Sequence, residues 1–199
     1  MVHSYTLYGV TLRTGDLICT QDGNQHALFS QVYELLGQVI PGPVDHIAVY
    51  VGPGPRFVEA GPFGVIDFEL PGETWDAGAI FDRRLIADTI YGIADPTVNR
   101  GFSAAMEGAI RFEVGKFINE QVEQHKPYNV NFFNSYSLDA FYCSQLPYMA
   151  YRRHGLNLNT GQGIPELPGV GSIIFPTEVW NACHQVRLTT GQQPPTAEL

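Results

Sequence analysis

Short β-branched and aromatic runs alternate along the chain with longer stretches whose apolar residues recur at helical intervals. Between residues 46 and 70, "HIAVYVG", "RFVEAG" and "GVIDFEL" are rich in Val, Ile and Phe and are separated by Gly and Pro turns. They predict three strands of an antiparallel meander. Upstream, "TLRTGDLICTQ" predicts a turn at Gly15–Asp16 running into a short strand. "QHALFSQVYELLGQV" spaces Leu28, Val32, Leu35 and Leu36 along one helical face, with Gly37 as its stop. "FSAAMEGAIRFEVGKFINEQVEQ" does the same with Phe102, Met106, Ala109 or Ile110, Phe117 and Val122, and predicts a core helix.

Residues 71–101 read as loop-rich, with one strand near "AIFDRRL". "GVGSIIFPTEVWNACHQVRLTT" predicts a short strand and then a helix capped by Thr177 that carries His184, and the tail over 191–199 is expected to fray. No repeat and no linker interrupts the pattern. One α+β domain over residues 1–199, with its core over about 12–185, is therefore expected: a small antiparallel sheet packed by helices.

Composition narrows the function classes. With 44% hydrophobic and 16% charged residues the chain is an ordinary globule, and a net charge of −9 argues against a nucleic-acid or anionic-lipid surface, with "YRRHG" left as the one candidate for a local basic patch. No apolar run approaches the length of a membrane span, so no integral membrane association is expected. The start "MVHSYTLYGVTLRTGD" lacks a basic segment followed by an apolar one. A cytoplasmic location is expected, with export by a signal-independent route left open. The three cysteines, Cys19, Cys143 and Cys183, are odd in number and have no short spacing, so neither a disulfide framework nor a CxxC zinc site is expected. No metal and no other cofactor is called for, and the oligomeric state is not legible.

Chemistry concentrates in "AFYCSQLPYMAYRRHG". Leu146, Met149, Ala150 and Arg153 keep helical spacing after Cys143, so the cysteine stands where a helix begins. It is either a small core hydrophobe or a nucleophile whose thiolate, and whose backbone N–H, exploit the helix start. Pro147 removes a donor four residues after Cys143, so either a regular helix starts nearer Ser144 or the first turn is distorted. A nucleophile needs a base. His3 is terminal, His26 opens a helix, His125 and His154 follow charged stretches, and His184 lies near the C-terminus. His46 alone opens an apolar strand, directly after Asp45, where a general base would be well held. Glu59 lies in the next strand between Val58 and Ala60. It is either an exposed alternate position or a carboxylate paired with His46 across the hairpin.

"HKPYNVNFFNSYSLDAFYCSQLPYMAY" resembles the nucleophile segment of NlpC-like cell-wall peptidases, in which Pro-Tyr precedes Cys-Ser at a helix start. Here "LRTGDLI", "DHIAVYVG" and "FVEAG" precede the cysteine, an order that resembles the circularly permuted, YiiX/YebB-like branch of the papain-like superfamily. The resemblance spans roughly residues 12–185. It implies a papain-like fold of permuted topology, with Cys143 as nucleophile, His46 as base and Glu59 as the third member. It also implies Tyr128 as an oxyanion donor beside the Cys143 N–H, although Tyr128 reads equally as a loop aromatic packed on the core. Gln145 departs from the pattern, where an acidic or small residue is expected. The implied reaction is thiol hydrolysis of an amide in a small peptide or muropeptide. A lipid-directed acyl hydrolase or acyltransferase, and a binding module without catalysis, are the alternatives. His46, Glu59 and Cys143 would suffice in number for a catalytic zinc, but a helix start and the Tyr128 loop serve acyl chemistry.

Overall fold

The computed structural model describes residues 1–22, 42–161 and 172–188. The helix expected over 25–39, His26 within it, and the tail over 191–199 lie outside the described residues. The chain opens with a hairpin of β1 (Ser4–Leu7) and β2 (Val10–Arg13). Its two-residue turn places both Tyr8 (φ 50°) and Gly9 (φ 76°) in the left-handed region, as a tight antiparallel hairpin demands.

A six-stranded antiparallel sheet follows, built from β3 (Leu17–Gln21), β4 (His46–Tyr50), β5 (Arg56–Gly61), β6 (Gly64–Glu69), β7 (Thr89–Asp95) and β8 (His184–Arg187). Their spatial order is β6-β5-β4-β3-β7-β8. The meander expected over residues 46–70 is present as β4-β5-β6. Among the described residues, four helices accompany the sheet: α1 (Phe81–Arg84), α2 (Ala104–Glu123), α3 (Gln145–Arg152) and α4 (Pro176–Asn181).

Strand alternation splits the core into two layers. Leu17, Cys19, Ile47, Val49, Val58 and Ala60 face the helices, where they meet Ile110, Val114, Phe117, Leu146, Tyr151 and Trp180. Ile18, Ala48, Tyr50, Phe57 and Phe68 face the opposite side, where the hairpin's Leu7 and Leu12 and the loop's Trp75 and Ile80 cover them. Covered on both faces, β4 is buried at every position. Gly92 in β7 lets this layering close, because a Cβ there would come within 2.5 Å of the Trp180 ring.

Several expectations are corrected. "AIFDRRL" contains the helix α1 rather than a strand, and the strand lies further on, at β7. His184 begins β8 rather than lying in a helix, and residues 172–175 form no strand. Phe175, not Thr177, occupies the N-cap of α4, and Thr177 instead exchanges hydrogen bonds with the Val44 backbone. In α2 the buried stripe is Ile110, Arg111, Val114, Phe117, Ile118 and Gln121. Met106, expected on that face, is exposed. No helix among the described residues is long and apolar enough to cross a membrane.

Candidate active site

His46 opens β4 and Glu59 lies in β5, where Ala48 is its direct partner. His46 is thus diagonal to Glu59 on the same face, a separation that two long side chains can span. They do so: His46 Nε2 donates to Glu59 Oε2 over 2.9 Å, with both residues buried. With Nε2 committed, Nδ1 is the ring nitrogen left for a thiol. The Cys143 sulfur interacts with the imidazole and lies 4.0 Å from the Asp45 carbonyl oxygen. The fold therefore brings together Cys143, His46 and Glu59 from three separate elements.

The nucleophile turn is held from several sides. Ser144 is the N-cap of α3, and Cys143 immediately precedes it. Pro147 is consequently the third helical residue, where the backbone N–H has no intrahelical acceptor and its loss removes no helix bond. Of the two expectations for Pro147, the structure has the helix that starts at Ser144. The Tyr142 hydroxyl accepts from the Ile174 N–H at 3.0 Å, and Ser144 Oγ donates to the Ile174 carbonyl at 2.6 Å. Both bonds fasten the turn to the segment before α4.

Gln145, the departure noted from the resemblance, is fully buried and central to this turn. Its Oε1 accepts from Asn129 Nδ2 (2.9 Å) and from the Tyr142 N–H (3.2 Å), while its Nε2 donates to the Ser137 carbonyl (3.0 Å). An acidic side chain would lack the donor, and a small one would lack both contacts. The same loop carries Tyr128, whose backbone bridges to Phe141, two residues before Cys143. The Phe141 N–H donates to the Pro127 carbonyl (3.1 Å) and the Asn129 N–H to the Phe141 carbonyl (3.0 Å). The Tyr128 ring is half-buried and meets Phe132 edge-on at 6.3 Å.

Behind Glu59 stands a charge cluster that pattern reading missed. Arg84 Nη2 donates to Glu59 Oε2 at 2.8 Å, and its Nε lies 3.0 Å from both Glu59 oxygens. Its Nη1 and Nη2 also donate to the two oxygens of Asp88, at 2.8 and 2.9 Å. Asp88 accepts further bonds from Thr20 Oγ1 (2.8 Å) and Trp75 Nε1 (2.9 Å). The guanidinium lies over Phe68 and Trp75, 4.8 and 4.7 Å from the ring centres. Leu85 delivers it there: a left-handed residue (φ 57°) ends α1 after one turn, at a cost on the order of 1–2 kcal/mol. The available signal was the i,i+4 pair Arg84–Asp88 within an apolar stretch.

The electrostatics follow from these contacts. Burial opposes the charged form of every member. For Glu59 the Arg84 guanidinium and the His46 ring outweigh burial and hold the carboxyl below its usual range. For His46 burial pushes down, but the Glu59 carboxylate and the Cys143 sulfur outweigh it and hold the imidazole well above the usual histidine range. The arrangement supports a protonated imidazole beside a thiol at a helix start. Among the described residues, no group of three His, Cys, Asp or Glu is placed to hold a metal ion.

Two cavities, of about 470 Å³ beside Arg100 and Cys183 and about 510 Å³ beside Arg56 and Lys116, include none of Cys143, His46 and Glu59 in their linings. No protein-family model matches the chain, and no curated protein or solved structure shows significant similarity to it.

Proposed function

We propose that the chain is a cysteine hydrolase of permuted papain-like topology that cleaves an amide bond in a small cell-wall-type peptide. The observation that carries this reading is the buried 2.9 Å contact between His46 and Glu59, with the Cys143 sulfur against the same imidazole. A core histidine needs no such alignment with a thiol at a helix start. In the proposed cycle the Cys143 thiolate attacks the amide carbonyl carbon, and the oxyanion takes hydrogen bonds from the Cys143 N–H and the Tyr128 hydroxyl. His46 gives its proton to the departing amine. It then takes one from water, which adds to the thioester and releases the acid and the Cys143 thiolate. Glu59 fixes the ring and stabilises the imidazolium.

A second, lipid-directed reading is favoured by one observation. The loop leading to the nucleophile exposes four apolar or aromatic side chains, Val130, Phe133, Tyr136 and Leu138. Incubation with muropeptides and with phospholipid vesicles, analysed by mass spectrometry, separates the two. The amidase reading expects a free amine and a free acid from the muropeptide, unaffected by EDTA and abolished by iodoacetamide. Released fatty acid without peptide cleavage would replace it with the lipid reading.

A further inference from the structure

Resting on His46 as the base of Cys143, we infer that Asp88 is a positioning residue that fixes the charge of His46 from behind Arg84. The charges in this buried compartment do not cancel. Glu59, Arg84 and Asp88 are all buried, and one guanidinium is shared between two carboxylates through contacts of 2.8–3.0 Å. That leaves one uncompensated negative charge, which a dry interior does not tolerate without a partner.

A proton must supply the balance, and the geometry decides where it sits. Both Glu59 oxygens lie against Arg84 Nε, and one also takes Arg84 Nη2, so the carboxylate is held ionised. Both Asp88 oxygens accept from Arg84, with Thr20 and Trp75 adding one donor each. Arg84 cannot give up its own proton. The remaining basic atom in contact is the His46 ring, through Nε2 to Glu59.

Among the described residues, the groups facing His46 are Glu59 from β5, neutral Thr20 opposite it in β3, and Cys143 with the Asp45 carbonyl at the open end. Arg84 acts through Glu59, and Asp88, bonded to Arg84 and to Thr20, acts on the imidazole through space as well. The imidazolium is therefore built into the resting protein by the cluster, and the thiol meets it already charged. Asp88, which makes no hydrogen bond to His46, decides whether two carboxylates or one stand behind the ring.

The test is the titration of His46, followed by NMR of labelled imidazoles in the full chain. In Cys143→Ala, where no thiolate is left to attract a proton, His46 is expected to remain protonated through neutral pH. Titration in the ordinary range near about 6.5 would overturn the inference. In the otherwise unsubstituted chain, Asp88→Asn should move the His46 midpoint down and slow Cys143 alkylation at neutral pH about tenfold. Thr20→Val, which removes a donor to the same carboxylate and keeps its charge, should move neither. Equal effects of the two substitutions would mark Asp88 as merely structural. Should Asp88→Asn fail to fold, the Cys143→Ala titration decides alone. A protonated His46 with an inert Cys143 would sink the hydrolase reading and sustain the charge count, and an ordinary titration with a reactive Cys143 would do the opposite.

Discussion

Among the described residues two arginines are buried, and their surroundings differ in one respect. Arg111 on α2 binds Asp16 (2.6 Å), Asp95 (2.6 Å) and Glu107 (2.8 Å), tying the helix to the turn before β3 and to the end of β7. Arg84 binds Glu59 and Asp88 in the same manner. The Arg111 cluster, however, reaches the surface: half-exposed Arg13 pairs with both Asp95 and Glu107 and supplies a second positive charge beside solvent. The Arg84 cluster is sealed by Phe68 and Trp75, and its outlet is His46. Identical ion-pair chemistry serves as a clamp where compensation is external. Where the balancing charge must come from a titratable ring, it serves a site.

If that contrast holds, the two regions respond to different experiments. Cys143→Ala or His46→Ala should lower kcat/KM on the cleaved muropeptide by about 10³ or more; the Tm should stay near that of the parent in Cys143→Ala and fall in His46→Ala, which leaves the Glu59–Arg84–Asp88 cluster without its balancing proton. Glu59→Gln should cost less activity, because the ring loses its orienting charge but not its place. Arg111→Met should do the reverse. Leaving buried Asp16 without its partner costs about 3–5 kcal/mol, a fall in Tm on the order of 10 °C, with the His46 titration unchanged. A His46 midpoint that moved with Arg111→Met would dissolve the distinction between the clusters.

The acid response separates them further. Burial outweighs Arg111 at Asp16 and raises its carboxyl from 3.8 to about 6. The folded state thus binds this proton more tightly than the unfolded chain. The stability it contributes is present below about 4 and lost as pH rises to about 6, a loss of about 3 kcal/mol by linkage. Glu59 and Asp88 are held low, so their contribution is present above the ordinary carboxylate range and is lost as pH falls through their lowered values. Asp16→Asn should flatten the descending slope between pH 4 and 6 in thermal melts. A slope left intact would assign it to another group. Gln145→Ala, the mildest of these changes, strips the acceptor from Asn129 and from the Tyr142 N–H and should cost about 2 kcal/mol.

Legibility in the sequence followed the range of the interaction. β4, β5 and β6 were readable because their β-branched alternation is local, and Cys143 at a helix start was readable from the spacing of Leu146, Met149 and Ala150. His46 and Glu59 were placed together by hairpin register alone, although as diagonal rather than direct neighbours. The Arg84 cluster was not readable, since its meaning lies in Glu59, Thr20 and Trp75 arriving from distant segments. "AIFDRRL" passed for a strand because apolar residues flank its charges, whereas it forms a single helical turn ended by Leu85 that turns Arg84 inward and leaves Asp82 and Arg83 exposed. β7 and β8 were missed because one lay in a loop-rich stretch and the other followed a helical pattern without a break.

The most direct test of Cys143 as an activated nucleophile uses the other two cysteines as internal references. Cys183 retains the most surface, but burial pushes its thiol up to about 12, and Cys19 is fully buried with its thiol pushed well above the ordinary range. Limited iodoacetamide treatment near neutral pH, read peptide by peptide by mass spectrometry, should label Cys143 first despite its lower exposure. His46→Ala should abolish that priority. Labelling of Cys183 ahead of Cys143, with an order unchanged by His46→Ala, would show that access alone governs and that Cys143 is packing.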